Sequence, residues 1–334
     1  MPDRHVDHAV LAGHAENKVN VPADQARERR RQVNHLRSQL EGYIAAHPGY
    51  DLVKLRAAGS TAKHTAIRRR RGEGSDADVA AYVRASSVGG VDANESGLLD
   101  WLRDRCIEVY DATKDAEDFA ISEHAVGITL RGSGLKIDVA PVLYEGAPDD
   151  HGHLITRQGD RVLTSVTMHL AFIRARRDEA GPEYRELIRL LKAWIREAKR
   201  NDTDLRCKSF LLELIVAHLW DHGWNGEPLA VDDYPRAFEQ VLGYIARTGL
   251  RTPVIFTDYY AKTAVTPDGN PIQVWDPGQS CEQRRPHLHR GRPAALGQDG
   301  DHCAGGDHLG CAGAHQGRRQ RRLADRARPG IRGA

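Results

Sequence analysis

Between Gly59 and Val83 the chain reads Gly-Ser-Thr-Ala-Lys-His-Thr-Ala-Ile, then a basic loop, then Ser-Asp-Ala-Asp-Val-Ala-Ala-Tyr-Val. Val79, Tyr82 and Val83 are good strand formers, and the Gly-Glu-Gly-Ser loop before them punctuates the chain, so the second half predicts a strand. Side chains alternate across a strand, which puts Asp76 and Asp78 on one face, about 7 Å apart along the chain. Two carboxylates rising from one face just after a flexible loop can grip a divalent metal. Upstream, Gly59-Ser60 offers backbone N–H groups and a hydroxyl with no bulky side chain in the way, which suits a phosphate. Lys63 and His64 follow in the same turn; His64 reads as structural.

A third carboxylate lies further on. Ala125–Arg131 and Leu135–Tyr144 read as two strands of a hairpin turned by Gly132-Ser133-Gly134. Asp138 sits mid-strand between Ile137 and Val139, which face away from it. Burying such a carboxylate unpaired is costly, so it needs a cation, a donor or an open cleft. It is either a third metal ligand beside Asp76 and Asp78 or the partner of Lys136, which projects to the same face. Three carboxylates on adjacent strands plus a Gly-Ser turn are what nucleotidyl transfer requires. Two divalent ions roughly 3.5–4 Å apart neutralise a triphosphate and lower the pKa of an attacking hydroxyl. Magnesium, or manganese in its place, prefers oxygen ligands. Asp76 and Asp78 would hold one ion and share the second with Asp138, which could also take up the hydroxyl proton.

Helices surround these strands. Ala23 to Ala46 carries Val33, Leu36, Leu40, Tyr43 and Ile44 as an apolar stripe beside the charged Arg27–Arg31 face, and His47-Pro48-Gly49 stops it. Residues 1–22 are polar and unpatterned, a flexible start. Arg68 to Arg71 read as a solvated loop or as a contact to phosphate. Leu98, Trp101, Leu102, Ile107 and Val109 predict a second helix. Beyond Asp149 the composition turns helical, with segments from Val162 to Arg177, from Pro182, from Lys208-Ser209 through an apolar run to Trp220, and from Tyr234 to Ile245. Val254-Ile255-Phe256 and Ile272 to Pro277 are short strand candidates returning to the first sheet. From about residue 279 neither apolar period survives, and Cys281, Cys303 and Cys311 with their neighbouring histidines lack the close pairing of a zinc site. Residues 279–334 are expected to be disordered or the product of a reading-frame change.

Composition removes several classes. A formal charge of +2 over 334 residues does not describe a general polyanion coat. No apolar run approaches the roughly 20 residues of a membrane span. The start lacks a positive cluster followed by an apolar core, so no secretory signal is read. Five irregularly spaced cysteines fit a reduced, cytoplasmic protein.

Gly59-Ser60, Asp76-x-Asp78 and the distant Asp138 form a pattern that resembles the polymerase-beta-like nucleotidyltransferase superfamily. The longer stretches GSTAKHTAIR, SDADVAAYV and KIDVAPVLY are similar to its oligoadenylate synthase and cyclic GMP-AMP synthase branch, in bacteria the CD-NTases of CBASS anti-phage systems. LLKAWIREAKR and LRCKSFLLELIVAHLW resemble that branch's helical segments, so Lys192, Lys208 and Ser209 take the positions that touch the triphosphate. The resemblance covers roughly residues 25–278. It implies an α+β fold: a catalytic core with a mixed sheet over 23–160, a helical domain over 161–278, and the active site in the cleft between them. It also implies a monomer that joins nucleoside triphosphates into a cyclic or linear second messenger, with a regulatory protein or nucleic acid as activator and no membrane. Relatives continue past Asp276-Pro277 with a final helix that has no counterpart in this sequence. The alternatives are a nucleotidyltransferase with another acceptor (tRNA, protein or small molecule) and a non-catalytic nucleotide- or RNA-binding module.

Overall fold

The computed structural model describes residues 6–47, 49–70, 74–88, 97–110, 113–205, 207–259 and 272–279. Its helices are α1 (His8–His14), α2 (Ala23–Ala46), α3 (Gly59–Lys63), α4 (Leu98–Tyr110), α5 (Val166–Ala180), α6 (Pro182–Asn201), α7 (Ser209–His222) and α8 (Tyr234–Thr248). Its strands are β1 (Leu52–Ala58), β2 (Ser75–Arg84), β3 (Phe119–Ile121), β4 (Val126–Leu130), β5 (Leu135–Tyr144), β6 (Gly152–Ile155) and β7 (Arg161–Thr164). Contacts divide the chain into two compact units, Ala12–Leu190 and Met1–Leu11 with Leu191–Ala334.

The first unit holds a seven-stranded mixed sheet in the order β1-β2-β5-β4-β3, with β6 pairing the far half of β5 and β7 pairing β6. Only β2 and β5 run parallel. A parallel pair needs a long crossover, and α4 with the β3–β4 strands supplies it. One face of the sheet is dry. Val33, Leu36, Leu40 and Ile44 of α2 meet Leu99, Leu102 and Cys106 of α4 over Ala77 and Val79 of β2 and Ile137 and Val139 of β5. Fully burying such a side chain is worth about 1.5–3 kcal/mol. A one-residue slip of β2 or β5 would exchange those residues for Asp76, Asp78 or Asp138, so the register is strongly enforced. Across the sheet edge, Asp150 takes ion pairs from Lys54 and Arg56 of β1 and a hydrogen bond from Thr167. Ser165 caps α5 by accepting from the Met168 N–H at 3.1 Å. These bonds seat α5 on the first unit, so the compact units part after Leu190, later than the change of composition near residue 160.

The second unit is built on α7, whose residues from Leu211 to Ala217 are all buried. Val254 and Val274 meet in a parallel bridge. Expected as strands returning to the sheet, these segments pair instead with each other. Three further expectations change. Residues 8–19 are helical, with Ala15 and Val19 fully buried, although their sequence shows no apolar stripe. The short strands β3, β6 and β7 fall where sequence reading places loop or helix, because three or four extended residues leave too little alternation to detect. Val162 lies in β7, and α5 begins only at Val166. The expectations for Arg71 and for residues 280–334 lie outside the described residues.

Candidate active site

Asp76 and Asp78 project from the face of β2 opposite the core, since Ala77 and Val79 between and beside them are buried in it. Asp138 does the same on β5, between buried Ile137 and Val139. The parallel register sets Asp78 beside Asp138 and Asp76 beside Lys136. The neighbours outward of this pair are small: Ala58 of β1 opposite Asp78, and Gly127 of β4 opposite Asp138. A row of two small residues and two carboxylates therefore crosses four strands.

Two glycines keep the row open. Gly59 has φ +61° and opens the α3 turn, and a β-carbon there would lie inside the contact distance of Asp78 Oδ2. At Gly127 a β-carbon would sit 2.9 Å from Asp138 Oδ1 and overlap the Lys136 side chain. Gly127 is the residue that sequence reading passed over. Its signal was a glycine inside a strand, which marks close approach of another group.

The carboxylates are balanced by the chain's own cations. Arg69 pairs with Asp76. Lys136 Nζ lies 2.8 Å from Asp138 Oδ1, but without the alignment of a hydrogen bond, so that buried oxygen has no hydrogen-bond partner. The salt bridge foreseen as an alternative for Asp138 is thus present, and it leaves acceptor capacity unused. Two arginines of the run are held by the chain itself. Arg68 donates to the carbonyls of Asn20 (3.0 Å) and Asn17 (2.8 Å), and Arg69 holds Asp76. The α3 turn is closed by Thr65 N–H on the Ser60 carbonyl at 2.9 Å, and Thr61 Oγ1 reaches the Asp76 carbonyl at 3.4 Å. Ser60 and Lys63 belong to that turn, half-buried, and His64 ends it in the left-handed region at φ 59°. The His64 ring is held below the usual histidine range by burial first and then by Arg185, Arg30, Arg177 and Arg189.

Lys192, Lys208 and Ser209 belong to the second unit. Lys192 is buried, 6% exposed, and ion-paired with Glu213 of α7, itself 1% exposed. Lys208 is the N-cap residue of α7 and makes no side-chain cap, while Ser209 is the first helical residue; both are exposed. Ser209 is therefore not the helix cap that its type would suit.

No protein-family model matches the chain. It is 37% identical over 278 residues to the cyclic AMP-AMP-AMP synthase of Escherichia coli strain MS 115-1, covering 83% of each protein. The CD-NTase family is therefore shown. This chain belongs to it. Among solved structures, E. coli MS115-1 CdnC with ATP superposes on this CD-NTase with a TM-score of 0.71 at 36% identity, covering 82% of this chain and 83% of that one. The complex of E. coli MS115-1 CdnC with HORMA-deltaN gives 0.70 at 37% identity, covering 82% of each. The polymerase-beta-like α+β fold and the nucleotidyltransferase class follow. As a CD-NTase the chain joins nucleoside triphosphates into a cyclic oligonucleotide messenger of CBASS anti-phage defence.

CD-NTases use divalent metals. Among the described residues no three acidic, histidine or cysteine groups converge as a ready cage. The donor set nevertheless fits a hard cation: it is all carboxylate oxygen, it includes the unused Asp138 Oδ1, and positively charged groups already lie against Asp76 and Asp138. Among the described residues no helix is long and apolar enough to cross a membrane.

Proposed function

We propose that this CD-NTase joins ATP into cyclic AMP-AMP-AMP, with Asp76, Asp78 and Asp138 as its metal ligands and Mg²⁺ or Mn²⁺, two ions, as its cofactor. The observation that carries the assignment is the parallel register that sets Asp78 beside Asp138 on the wet face of β2 and β5. When bound, the ions supply charge neutralisation at the triphosphate and a more acidic attacking hydroxyl. The chain's own groups do the rest. Asp76 and Asp78 fix the position of the reacting phosphate, and Asp138 accepts the hydroxyl proton. Gly59 and Ser60 give the phosphates a backbone N–H and a hydroxyl at close approach, with Lys63 alongside. Lys208 and Ser209 contribute to triphosphate binding from the start of α7; Lys192 does so while answering the charge of Glu213. Positioning and fixed charge provide most of the rate. The choice of ATP rests on the named product of the E. coli synthase. A HORMA-type protein is the proposed regulator, since CdnC of E. coli MS115-1 is described in complex with one. The chain is proposed to act as a cytoplasmic monomer.

Purified protein incubated with each labelled NTP and Mg²⁺ or Mn²⁺ tests this reading. ATP alone should give a phosphatase-resistant product that co-migrates with a cyclic trinucleotide, and Asp76→Asn with Asp78→Asn should abolish it. A product requiring another NTP would reject the substrate choice. Label appearing only on an added acceptor would reject cyclisation, and activity surviving the double substitution would reject the metal ligands.

A further inference from the structure

In the first unit, beside the α3 turn, lies a cavity of about 140 Å³. It is lined by Arg29 and Arg30 of α2, Thr61 and His64 of the turn, and Arg185 and Arg189 of α6. Arg189 is engaged: it donates to Asn20 Oδ1 at 2.6 Å and to the His64 carbonyl at 3.2 Å. Arg29, Arg30 and Arg185 differ. None of the three makes a hydrogen bond or ion pair with a described residue, and the buried Arg185 Nε has no hydrogen-bond partner. The carboxylates nearby are already engaged, Glu28 by Arg31, Asp178 by Arg177, Glu186 by Asn20 and Asp76 by Arg69.

Guanidinium groups that line one half-open cleft without an ion-pair partner repel each other and gain most from a shared anion. Burial first, then Arg69 for Arg29 and Arg177 for Arg185, holds both below the usual arginine range, and the opposing pull of Asp76 on Arg29 and of Asp178 on Arg185 is the weakest of the three influences. Volume limits the ligand. Pockets for whole drug-sized ligands run to roughly 300–1,000 Å³, so this one has the size for a phosphate or diphosphate group.

We propose that the cavity is a binding site for a small phosphate anion, inorganic phosphate or diphosphate, distinct from the triphosphate position at Gly59 and Ser60. The site does not depend on the choice of ATP or on cyclisation. Arg29 stands close enough to feel the charges of both Arg69 and Asp76, so an occupant would be sensed at the metal-binding face.

The test uses the full chain in EDTA, which keeps metal-dependent nucleotide binding out. Melting temperature and calorimetry are followed with sodium phosphate or sodium diphosphate, against sodium chloride at matched ionic strength. Saturable binding is expected, with a rise of roughly 5–10 °C at a hundredfold excess over Kd. The stronger of the two anions identifies the occupant. Arg30→Gln with Arg185→Gln should remove the effect while melting no lower than wild type without ligand, because it relieves repulsion. Should that pair fail to fold, Arg30→Gln alone, at an exposed position, should weaken binding about tenfold. Asp76→Asn with Asp78→Asn should leave it intact. No saturable effect, an effect undiminished in the arginine variants, or one lost with the aspartates would overturn the proposal. So would a DNA duplex that binds through the same arginines and is not displaced by saturating phosphate, which would make this a nucleic-acid surface.

Discussion

Gly59 and Asp78 are packed so closely that residue 59 has no room for a side chain: a β-carbon there would overlap Asp78 Oδ2. Ala58 is the register partner of Asp78, so the glycine follows directly from the end of β1 into the turn that carries Ser60. The contact ties the turn proposed to hold phosphate to the strand proposed to bind metal, through the absence of atoms.

Gly59→Ala should therefore damage activity more than stability. The left-handed backbone costs about 1–2 kcal/mol with a side chain, whereas displacing a reacting group by about 1 Å can cost about a hundredfold in rate. Product formation and a thermal melt on the same preparation measure both. A folded variant with the wild-type rate would sink the assignment. Gly127→Ala should show the same split more mildly, because the flexible end of Lys136 can give way before Asp138 does.

Arg69 occupies Asp76 in this state. Like charges compete for one carboxylate, so Arg69→Gln should lower the Mn²⁺ concentration needed for half-maximal binding severalfold. Metal titration followed by Mn²⁺ EPR would report it. An unchanged metal requirement would mean that the pair is decoration.

Lys192 and Glu213 form a buried ion pair inside the second unit. Removing one partner leaves the other charge stranded, so Lys192→Met should cost about 3–5 kcal/mol of stability. Lys192→Met with Glu213→Leu should recover most of it. If the double variant is stable but has a raised KM for ATP, Lys192 serves the triphosphate as well. Full recovery of both would make it structural.

His218 has its pKa lowered to about 4 by burial first and then by His222. Its ordinary value is about 6.5. Between those values the unfolded chain binds a proton that the folded chain refuses, so stability is complete above about pH 6.5 and falls as pH drops toward 4. The loss attributable to this group is about 2–3 kcal/mol at the acid end. His218→Leu should flatten that part of the curve relative to wild type in chemical denaturation. Equal slopes would show that other groups carry the acid sensitivity.

Much of the candidate site's layout was legible before the fold. The alternation in Ser75–Arg84 and Leu135–Tyr144 separates three carboxylates from their buried neighbours, and the structure keeps that separation. Helices α2, α4, α6 and α8 follow from apolar residues at helical spacing and α7 from a continuous apolar run, signals that act within a few residues. The first helix and the strands β3, β6 and β7 were not legible, since each is short and draws its stability from contacts made elsewhere. The arginine cavity was invisible for the same reason. Arg29, Arg30, Arg185 and Arg189 each read as an ordinary solvated charge on a helix, and only the approach of α2, α6 and the α3 turn makes them one cluster.

The sequence by itself determined which side chains share a face, because the period of a strand or helix is set by backbone geometry within a few residues. Gly59-Ser60 and the Asp-x-Asp motif belong to that local level. Tertiary structure alone decided that β2 and β5 pair in parallel with Asp78 beside Asp138. It also decided that Gly127 faces Asp138, that Arg69 answers Asp76 and that Lys192 answers Glu213. Those relationships join residues far apart in the chain, and each is selected by packing and charge balance, to which no local period applies.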